Sequence, residues 1–434
     1  MAFGGGSFTT QNKKLPGTYI NFVSASRASA IIGDRGVAAI PMVMDWGASG
    51  VIEISNDDFR KKSLSILGYE YAHDKLKGLR DLFMNTKTVY LYRLNDKGVK
   101  ATNEFADAKY PGVRGNDIKI VITKNVDNQS KYDVSTLIDL KEVDKQTVTT
   151  ANELVANEFV VFKSTATLKE TAAKPLASGT NGSEVSTAEY QSFLNAIESY
   201  SFNALCCPTK DTQITKLFVE FTKRMRDELG VKFQTVIYKE EKINYEGVVS
   251  VKNKALNADE FSLVYWVTGV IAGCPINETN TNRIYDGSFE VEVNYTQLAL
   301  AESLEKGMFT LHRVGNDIRV LEDINTLTEV TDKKNSDFFN NQTIRVIDQI
   351  ANDIAVLFNT KYIGKIPNNA SGRISLWNDV VTYYKNLESL QAIENFNSED
   401  VEIEQGATKK SVVMIGKINI VGSMSQLYMT TTIA

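Results

Sequence analysis

Between positions 187 and 239, segments whose apolar residues have the spacing of a helix alternate with short apolar runs that are typical of strands. The stretches that begin near Thr187 and Gln213 carry apolar side chains three and four residues apart, which is the spacing of one helical face. Each is followed by a short apolar run typical of a buried strand, first NALCCP and then VKFQTVIYK. Parallel strands need long crossover connections, so this order predicts a layered sheet covered by helices.

The same alternation is present nearer the N-terminus. Helices are predicted at about residues 56–67 and 75–83, and a strand follows at 88–95. We therefore expect residues 21–96 and 180–317 to form one mixed α/β domain, divided by an insertion.

The inserted segment, residues 97–179, has few helix signals and repeated strand signals separated by turn residues. Its strands are expected at residues 118–124, 132–139, 147–154 and 159–163. This pattern predicts a small β domain.

A further α/β unit is predicted at residues 318–426. Its elements are expected at residues 318–325 (strand), from about Asp337 to 358 (helix), 371–391 (helix), 401–405 (strand) and 410–424 (strand). On the first helix the apolar residues share one face, while Arg345, Asp348 and Gln349 fall on the opposite, polar face.

The last predicted strand is residues 427–434, and no charged residue follows Lys417. An uncharged strand at the end of a chain is an unpaired β edge unless something covers it. We expect another copy of the same protein to do so.

Composition narrows the class of protein. With 434 residues the chain has room for two to four domains. Its 48 Lys and Arg against 53 Asp and Glu give a net charge of −5, which argues against nucleic acid as a partner. Three cysteines indicate a reducing cytoplasm during synthesis rather than a disulfide framework. The sequence has no apolar run of transmembrane length and no signal peptide, so we expect no direct membrane insertion.

Catalytic signatures are absent from the sequence. It contains no P-loop, dinucleotide fingerprint or nucleophile elbow, and His73 and His312 have no neighbouring ligand cluster. Asp259, Glu260 and Asp286 have the chemistry of an acid and base pair, but their spacing fixes no such pair. We expect no catalytic residue, no cofactor and no metal site.

One short motif, KYPGVRGNDIKI at residues 109–120, stands at the start of the inserted segment. Its proline and two glycines, Pro111, Gly112 and Gly115, predict a tight turn, and Arg114 and Asp117 are expected to hold the turn by a salt bridge or hydrogen bonds. The motif residues are Tyr110, Pro111, Gly112, Arg114, Gly115, Asn116 and Asp117.

Several stretches together resemble the contractile tail sheath proteins of phages and related bacteriocins. They are the YPGVRGND motif, LEDINTLT at 321–328, IRVIDQIANDI at 344–354, YIGKIPNNASGR at 362–373 and LYMT at 427–430. The resemblance implies a multi-domain mixed α/β fold: an α/β core, an inserted β domain, a C-terminal assembly domain (residues 318–426) and extended terminal arms.

The resemblance also implies a function. Sheath subunits polymerise as stacked rings around a tail tube and contract to drive the tube through the envelope of a target cell. The implied partners are further copies of the chain, the tail tube protein, and the baseplate and tail terminator proteins. The implied location is the cytoplasm of a bacterial host during assembly, then a virion tail or a released tail-like particle. Another self-assembling tail or surface-layer protein, or an α/β enzyme, is the alternative.

Inter-subunit contacts are implied at both ends of the chain, in an N-terminal arm (residues 1–20) and a C-terminal arm strand (residues 427–434). The arm residues are Leu15, Pro16, Gly17, Thr18, Tyr19, Leu427, Tyr428, Met429, Thr430 and Thr431. The alternative for the N-terminal segment is a floppy tail before an ordinary first strand.

A local basic group, Lys361, Lys365 and Arg373, lies in an acidic part of the sequence. We expect it either to face an acidic tail tube or to be an ordinary solvated surface.

Overall fold

The computed structural model describes residues 32–433. The predicted N-terminal arm, with Leu15 to Tyr19, and the final residue, Ala434, lie outside this range. The described part of the chain folds as two compact units, the larger comprising Gly33–Asn352, Leu390–Glu394 and the residues from Ile420 on, the smaller comprising Asp353–Ser389 and Asn395–Asn419.

The described residues form eight α-helices and nineteen strands. The helices are α1 (Asn56–Leu67), α2 (Lys77–Phe83), α3 (Thr187–Ile197), α4 (Thr212–Lys223), α5 (Leu263–Gly273), α6 (Gln297–Glu305), α7 (Asn341–Leu357) and α8 (Ala370–Ser389). The strands are β1 (Val37–Met42), β2 (Val51–Ser55), β3 (Thr88–Arg93), β4 (Ala106–Ala108), β5 (Ile118–Lys124), β6 (Tyr132–Ile138), β7 (Lys141–Val148), β8 (Val160–Phe162), β9 (Thr171–Pro175), β10 (Ala204–Cys206), β11 (Gln234–Tyr238), β12 (Val248–Val251), β13 (Met308–Phe309), β14 (Leu311–Val314), β15 (Asp317–Val320), β16 (Ile393–Glu394), β17 (Val401–Gln405), β18 (Val412–Gly416) and β19 (Asn419–Ile420). The predicted mixed α/β, multi-domain fold is confirmed.

A seven-stranded sheet is the centre of the larger unit. Its strand order is β13-β12-β11-β10-β1-β3-β2, and every neighbouring pair is parallel except β2 with β3. Strands from both sides of the inserted segment therefore share one sheet. The crossover helices predicted from the alternating periods are present.

Helices cover both faces of this sheet because successive side chains of a strand point to opposite sides. On β1, Ala38 and Ile40 pack with residues of α1, α2 and α5, whereas Ala39 packs with residues of α3 and α4. All three side chains are fully buried. The strands are consequently apolar on both faces, which explains their short continuous apolar runs in the sequence.

The inserted segment forms a four-stranded antiparallel sheet, ordered β7-β6-β5-β9, and the separate pair β4 and β8. The strand predicted at 147–154 is wrong, because β7 lies earlier and a 3-10 turn occupies Ala151–Glu153. Asp139 and Leu140, both with positive φ, form a two-residue turn after β6, so the antiparallel strand β7 already begins at Lys141. The strand was missed because β7 is a polar strand at the sheet edge.

The chain between the central sheet and α7 also differs from the expectation. The strand predicted at 318–325 ends at Val320, where β15 pairs with β14 as a hairpin. The helix expected near Asp337 starts with a 3-10 turn, Ser336–Phe339, and becomes α-helical at Asn341. Asp323 and Asn325 do not continue the strand, because both are buried and bonded to the segment that leads into α7.

In the smaller unit α8 packs against the hairpin of β17 and β18. Strand β17 has the predicted bounds, and α8 differs from its prediction by one or two residues. The single strand predicted at 410–424 is wrong, because it is interrupted after Gly416 and a two-residue strand, Asn419–Ile420, follows. The Trp377 indole NH donates to the Val401 carbonyl (2.8 Å) and so fixes the hairpin to the helix.

Candidate assembly surfaces

The C-terminal tail, residues 424–433, has no regular secondary structure, so the strand predicted there is absent from the single chain. Leu427, Tyr428 and Met429 are 87%, 88% and 79% exposed. Ser423, just before this tail, is held to α7 by its backbone NH and hydroxyl, which both donate to the Gln342 amide oxygen. A strand is stable only when another strand pairs with it, and the described residues provide no such partner for the tail.

The hairpin of β17 and β18 is the second incomplete structure. The two strands pair in register from Val401 with Gly416 to Gln405 with Val412, and within residues 32–433 they form a sheet of two strands only. Val413, Met414 and Ile415 are exposed on β18. A two-stranded hairpin with open edges and apolar side chains is marginal by itself and is a template for further strands.

The motif at residues 110–117 joins the inserted segment to the central sheet unit. The buried Arg114 guanidinium donates to the Gly68 carbonyl (2.6 Å), to Asp117 (2.8 Å) and to both carboxylate oxygens of Asp139. Asp139 lies in the turn between β6 and β7. Arg114 therefore holds a turn of the β segment and the end of α1 at one point.

Gly112 is required at this junction because the chain has a φ of 135° there, which side chains rarely tolerate. A Cβ atom at this position would lie 1.9 Å from the Asp45 carbonyl oxygen. The buried Arg93 donates to the neighbouring Pro111 carbonyl (2.9 Å), and Tyr110 packs edge-on against Trp46. Asn116 exchanges hydrogen bonds with Gly179, at the other end of the insertion. The motif residues thus have contacts that explain them without catalysis.

The three basic residues proposed to face a tube have different surroundings in the smaller unit. Lys361 forms an ion pair with Asp379 (2.5 Å) and is partly buried. Lys365 donates to the Thr360 carbonyl, and Arg373 to the Asn368 side chain (3.1 Å). Lys365 and Arg373 have no carboxylate partner among the residues that the structure describes.

Buried ion pairs on α7 were missed by the sequence analysis. Arg345 and Asp348 were placed on a polar face, but that face is buried: Arg345 pairs with Asp323 (3.0 Å) and Asp348 with Arg226 (2.5 Å). Asp323 also accepts from the Asn341 amide and the Asn280 backbone NH. The signal available in the sequence was the unusual density of Arg, Asp, Asn and Gln on one helix face.

The cysteine thiols are buried in the folded chain. The three cysteines are free and buried, and burial raises the pKa of Cys206 to about 12, so its thiol stays protonated. Within residues 32–433 no group of three or more His, Cys, Asp and Glu side chains is placed to hold a metal ion. No helix in that range is both long enough and apolar enough to cross a membrane.

Comparison with known proteins identifies the class. The sequence matches three family models, the phage tail sheath protein beta-sandwich domain at residues 96–181, the central domain at 183–326 and the C-terminal domain at 333–434. The chain belongs to the phage tail sheath protein family.

Individual relatives agree with this assignment. The chain is 31% identical to the phage-like element PBSX protein XkdK of Bacillus subtilis, over 98% of each chain. It is similar in structure to the sheath tail protein of Desulfitobacterium hafniense, with a TM-score of 0.83, 36% identity and coverage of 95% of this chain and 99% of that one. The contracted helical sheath of the anti-feeding prophage shares the fold at a TM-score of 0.58 and 12% identity, over 97% of this chain and 99% of that one.

Proposed function

We propose that this tail sheath protein polymerises around a tail tube as stacked rings and contracts to drive the tube through a target envelope. The observation that carries the proposal is the combination, in one chain, of an unfinished two-stranded hairpin and an exposed, uncharged tail. The hairpin has an open edge and the tail has no strand to pair with, so the tail of one copy is proposed to pair with the hairpin of another. The protein is proposed to act structurally, without catalysis or a cofactor.

The proposed contact is β-strand addition. Residues 427–433 of one copy pair with an open edge of the β17–β18 hairpin of another, and the N-terminal arm, residues 1–20, pairs with a third. Each backbone hydrogen bond contributes about 1 kcal/mol net, and burial of a side chain such as Leu427 or Met429 about 1.5–3 kcal/mol. Several such terms together are sufficient to hold neighbours in a polymer.

Strand addition by the terminal arms is also compatible with contraction of the polymer. Arms that are linked through flexible connections let subunits rotate and move outward without separating. The free energy is stored in the extended assembly and released as new surface between subunits is buried, so no nucleotide is needed.

The domain boundaries given from the sequence are part of this proposal. The inserted β segment, residues 97–179, lies on the outside of the cylinder, and residues 318–426 form the assembly domain. The basic group Lys361, Lys365 and Arg373 faces the tail tube, and the baseplate and terminator proteins cap the polymer. Assembly takes place in the host cytoplasm, before release of a virion or a tail-like particle.

Negative-stain electron microscopy of the purified chain tests the proposal. The intact chain should form long hollow cylinders, alone or when co-expressed with the tube and baseplate proteins. Removal of residues 427–434, or of residues 1–20, should leave a soluble, folded monomer. Full-length cylinders from either truncated chain would show that the arms do not hold the polymer, and absence of any sheath from the intact chain under both conditions contradicts the function itself.

A further inference from the structure

A cleft of about 840 Å³ lies at the carboxyl ends of the central parallel strands. It is lined by Pro41 and Met42 at the end of β1 and by Pro208 and Thr209 just after β10. The chain runs from β1 to β3 on one side of β1 and returns as β10 on the other side, while its helices change from one face of the sheet to the opposite face. Open α/β sheets bind ligands at such a switch point, and the volume is typical of a small-molecule site.

Contacts within the chain hold the walls of this cleft in place. The Arg80 guanidinium donates to the carbonyls of Tyr71 and His73 (2.7 Å each), which fixes the loop before α2. On α2, Gly78 lies so close to Tyr265 that a Cβ atom there would be 3.0 Å from the ring. The cleft is therefore formed before any ligand binds, which lowers the entropic cost of binding.

Three side chains with hydroxyl groups, Tyr190, Ser262 and Tyr265, line the cleft. None of these hydroxyls has a hydrogen-bond partner within residues 32–433, although Tyr190 and Ser262 are only 9% and 5% exposed. Burial raises the pKa of Tyr190 to about 12 and also raises the pKa of Tyr265, so both phenols stay protonated and able to donate. Buried polar groups are normally bonded, so these hydroxyls indicate a ligand that carries hydrogen-bonding atoms.

The charged groups of the cleft lie at its edge and have both signs. Two are acidic, Asp74 and Asp259, and two are basic, Lys75 and Lys77. Asp74, Lys75 and Asp259 are exposed, and the Lys77 ammonium lies over the Phe289 ring, 4.9 Å from its centroid. The buried lining residues carry no charge, so a charged ligand would lose its hydration there without compensation. The ligand that fits is neutral.

Aromatic side chains supply the apolar part of the lining. They are Tyr190, Phe261, Tyr265 and Phe289. A sugar ring has a face of C–H groups that packs against an aromatic ring, and hydroxyl groups that both donate and accept hydrogen bonds. A neutral saccharide therefore matches the aromatic walls and the unbonded hydroxyls at the same time.

We infer that this cleft binds a short neutral saccharide, with its sugar rings against Tyr190 and Tyr265 and its hydroxyls bonded to the two phenols. The inference goes beyond the proposed polymerisation, since every lining residue belongs to the larger unit and none lies in the hairpin or the tail. Free oligosaccharides and the sugar units of a cell-wall polymer share this chemistry, and the choice of probes distinguishes them.

Saturation-transfer difference NMR on the full-length chain tests the site, because the method detects weak binding to a large protein or polymer. Maltotriose and cellotriose represent free glucose oligomers, and chitotriose represents the N-acetylglucosamine of cell-wall polymers. Triglycine, a zwitterion of three units, tests whether the cleft prefers a charged ligand. At least one saccharide should bind at about 1–10 mM, and triglycine should not.

The hydroxyl groups are tested by variants that keep the aromatic rings. The double variant Tyr190→Phe, Tyr265→Phe should weaken saccharide binding about tenfold, because two hydrogen bonds to the ligand are lost. Tyr200→Phe is the matched control, since the Tyr200 hydroxyl also has no hydrogen bond among the described residues but lies outside the cleft. The control should bind normally.

The position of the site is tested at its edge. Ala258→Trp places a large side chain at an exposed lining position and should block binding, whereas Ala301→Trp, at an exposed position of α6, should not. Circular dichroism melting of each variant establishes that it is folded.

The possible results separate this site from the sheath function. Binding of none of the saccharides, or of triglycine in their place, overturns the inference. Equal saccharide binding by the natural chain and by both cleft variants also overturns it, because the sugar would then lie elsewhere. Cylinders formed by a chain that binds no saccharide would leave the proposed sheath function intact.

Discussion

The central sheet and the C-terminal hairpin are both β structures of one chain, yet they are completed in different ways. The central sheet has seven strands, and helices of the same chain cover both of its faces. The hairpin of β17 and β18 has two strands, and the tail that has strand character lies exposed. The first region finds its strand partners within the chain, whereas we propose that the second is completed by other copies.

The two regions are expected to contribute to different free energies, the central sheet to folding and the hairpin and tail to assembly. Apolar side chains such as Ile40 and Trp266 are fully buried in the larger unit and contribute to folding. Leu427 and Tyr428 are almost fully exposed, so they contribute little to folding, and the proposed strand addition would bury them on assembly. Substitutions in the two regions should accordingly change different measurements.

The largest effect on folding is expected from Asp323→Ala. Arg345 and Asp323 are both 0% exposed, so removal of the carboxylate leaves a buried guanidinium without its counter-charge. We expect the free energy of unfolding to fall by about 3–5 kcal/mol, measured by urea denaturation with far-ultraviolet circular dichroism. The control is Asp317→Ala, which breaks the partly exposed pair with Arg319 and should cost about 0–1 kcal/mol. Equal losses from the two variants would contradict the view that burial makes the first pair essential.

The next effect is expected at the junction with the inserted segment. Gly112→Ala introduces both an unfavourable φ and a clash with the Asp45 carbonyl, and should destabilise the protein by about 2–4 kcal/mol, as strain and overpacking add. Gly50→Ala is a matched control, since Gly50 also has a positive φ but no atom within 4 Å of the added methyl group. It should cost about 1–2 kcal/mol, because a residue with a Cβ atom is disfavoured at positive φ. The same urea titration compares them, and a control as damaging as Gly112→Ala would show that the close approach is unimportant.

A smaller effect is expected at the N-terminus of α3, where Ser186 and Glu189 form a capping box. Hydrogen bonds from Ser186, with help from Lys97, lower the pKa of Glu189 from 4.5 to about 2. A lowered pKa in the folded state contributes stability that is fully present above the unfolded value and is lost as the pH falls towards about 2. The difference in melting temperature between the natural chain and Glu189→Gln should therefore shrink between pH 5 and about pH 2.

The control is Glu184→Gln, in the loop before the same helix, because the Glu184 carboxylate has no hydrogen bond or ion pair among the described residues. It should lower the melting temperature little at any pH. A constant difference for Glu189→Gln over the same pH range would mean that the capping box does not act through the charged carboxylate.

Local patterns account for what the sequence predicted correctly. Helix α1 and strand β5 have the predicted bounds because their apolar spacing and flanking turn residues lie within the elements themselves. The order of strands and helices in the central sheet followed from the same signals. The family resemblance supplied the function, which periodicity alone left open.

The errors have long-range causes. Strand β7 was missed because it lies at the sheet edge and carries exposed charged residues. The polar face of α7 was misinterpreted because the partner of Asp348, Arg226, is 122 positions away in the sequence. The tail forms no strand because the described residues offer it no strand to pair with. Sequence patterns report the preference of a segment, whereas these three features depend on what the fold or the assembly brings next to it.

The smallest effect on folding, with a large effect on assembly, is expected from proline in the tail. Met429→Pro and Thr430→Pro each remove a backbone NH and fix φ, and successive NH groups of a strand point to opposite sides, so at least one of them must block pairing with a neighbour. Both positions are exposed, so the free energy of unfolding should change by less than about 0.5 kcal/mol. Thr430→Val, which keeps the NH and favours a strand, is the control and should assemble normally. The amount of protein in pelleted cylinders measures assembly. If both proline variants form cylinders as readily as Thr430→Val, backbone pairing of the tail is not what completes the hairpin, and the contrast between a self-sufficient sheet and an assembly-dependent one must be explained by side-chain contacts instead.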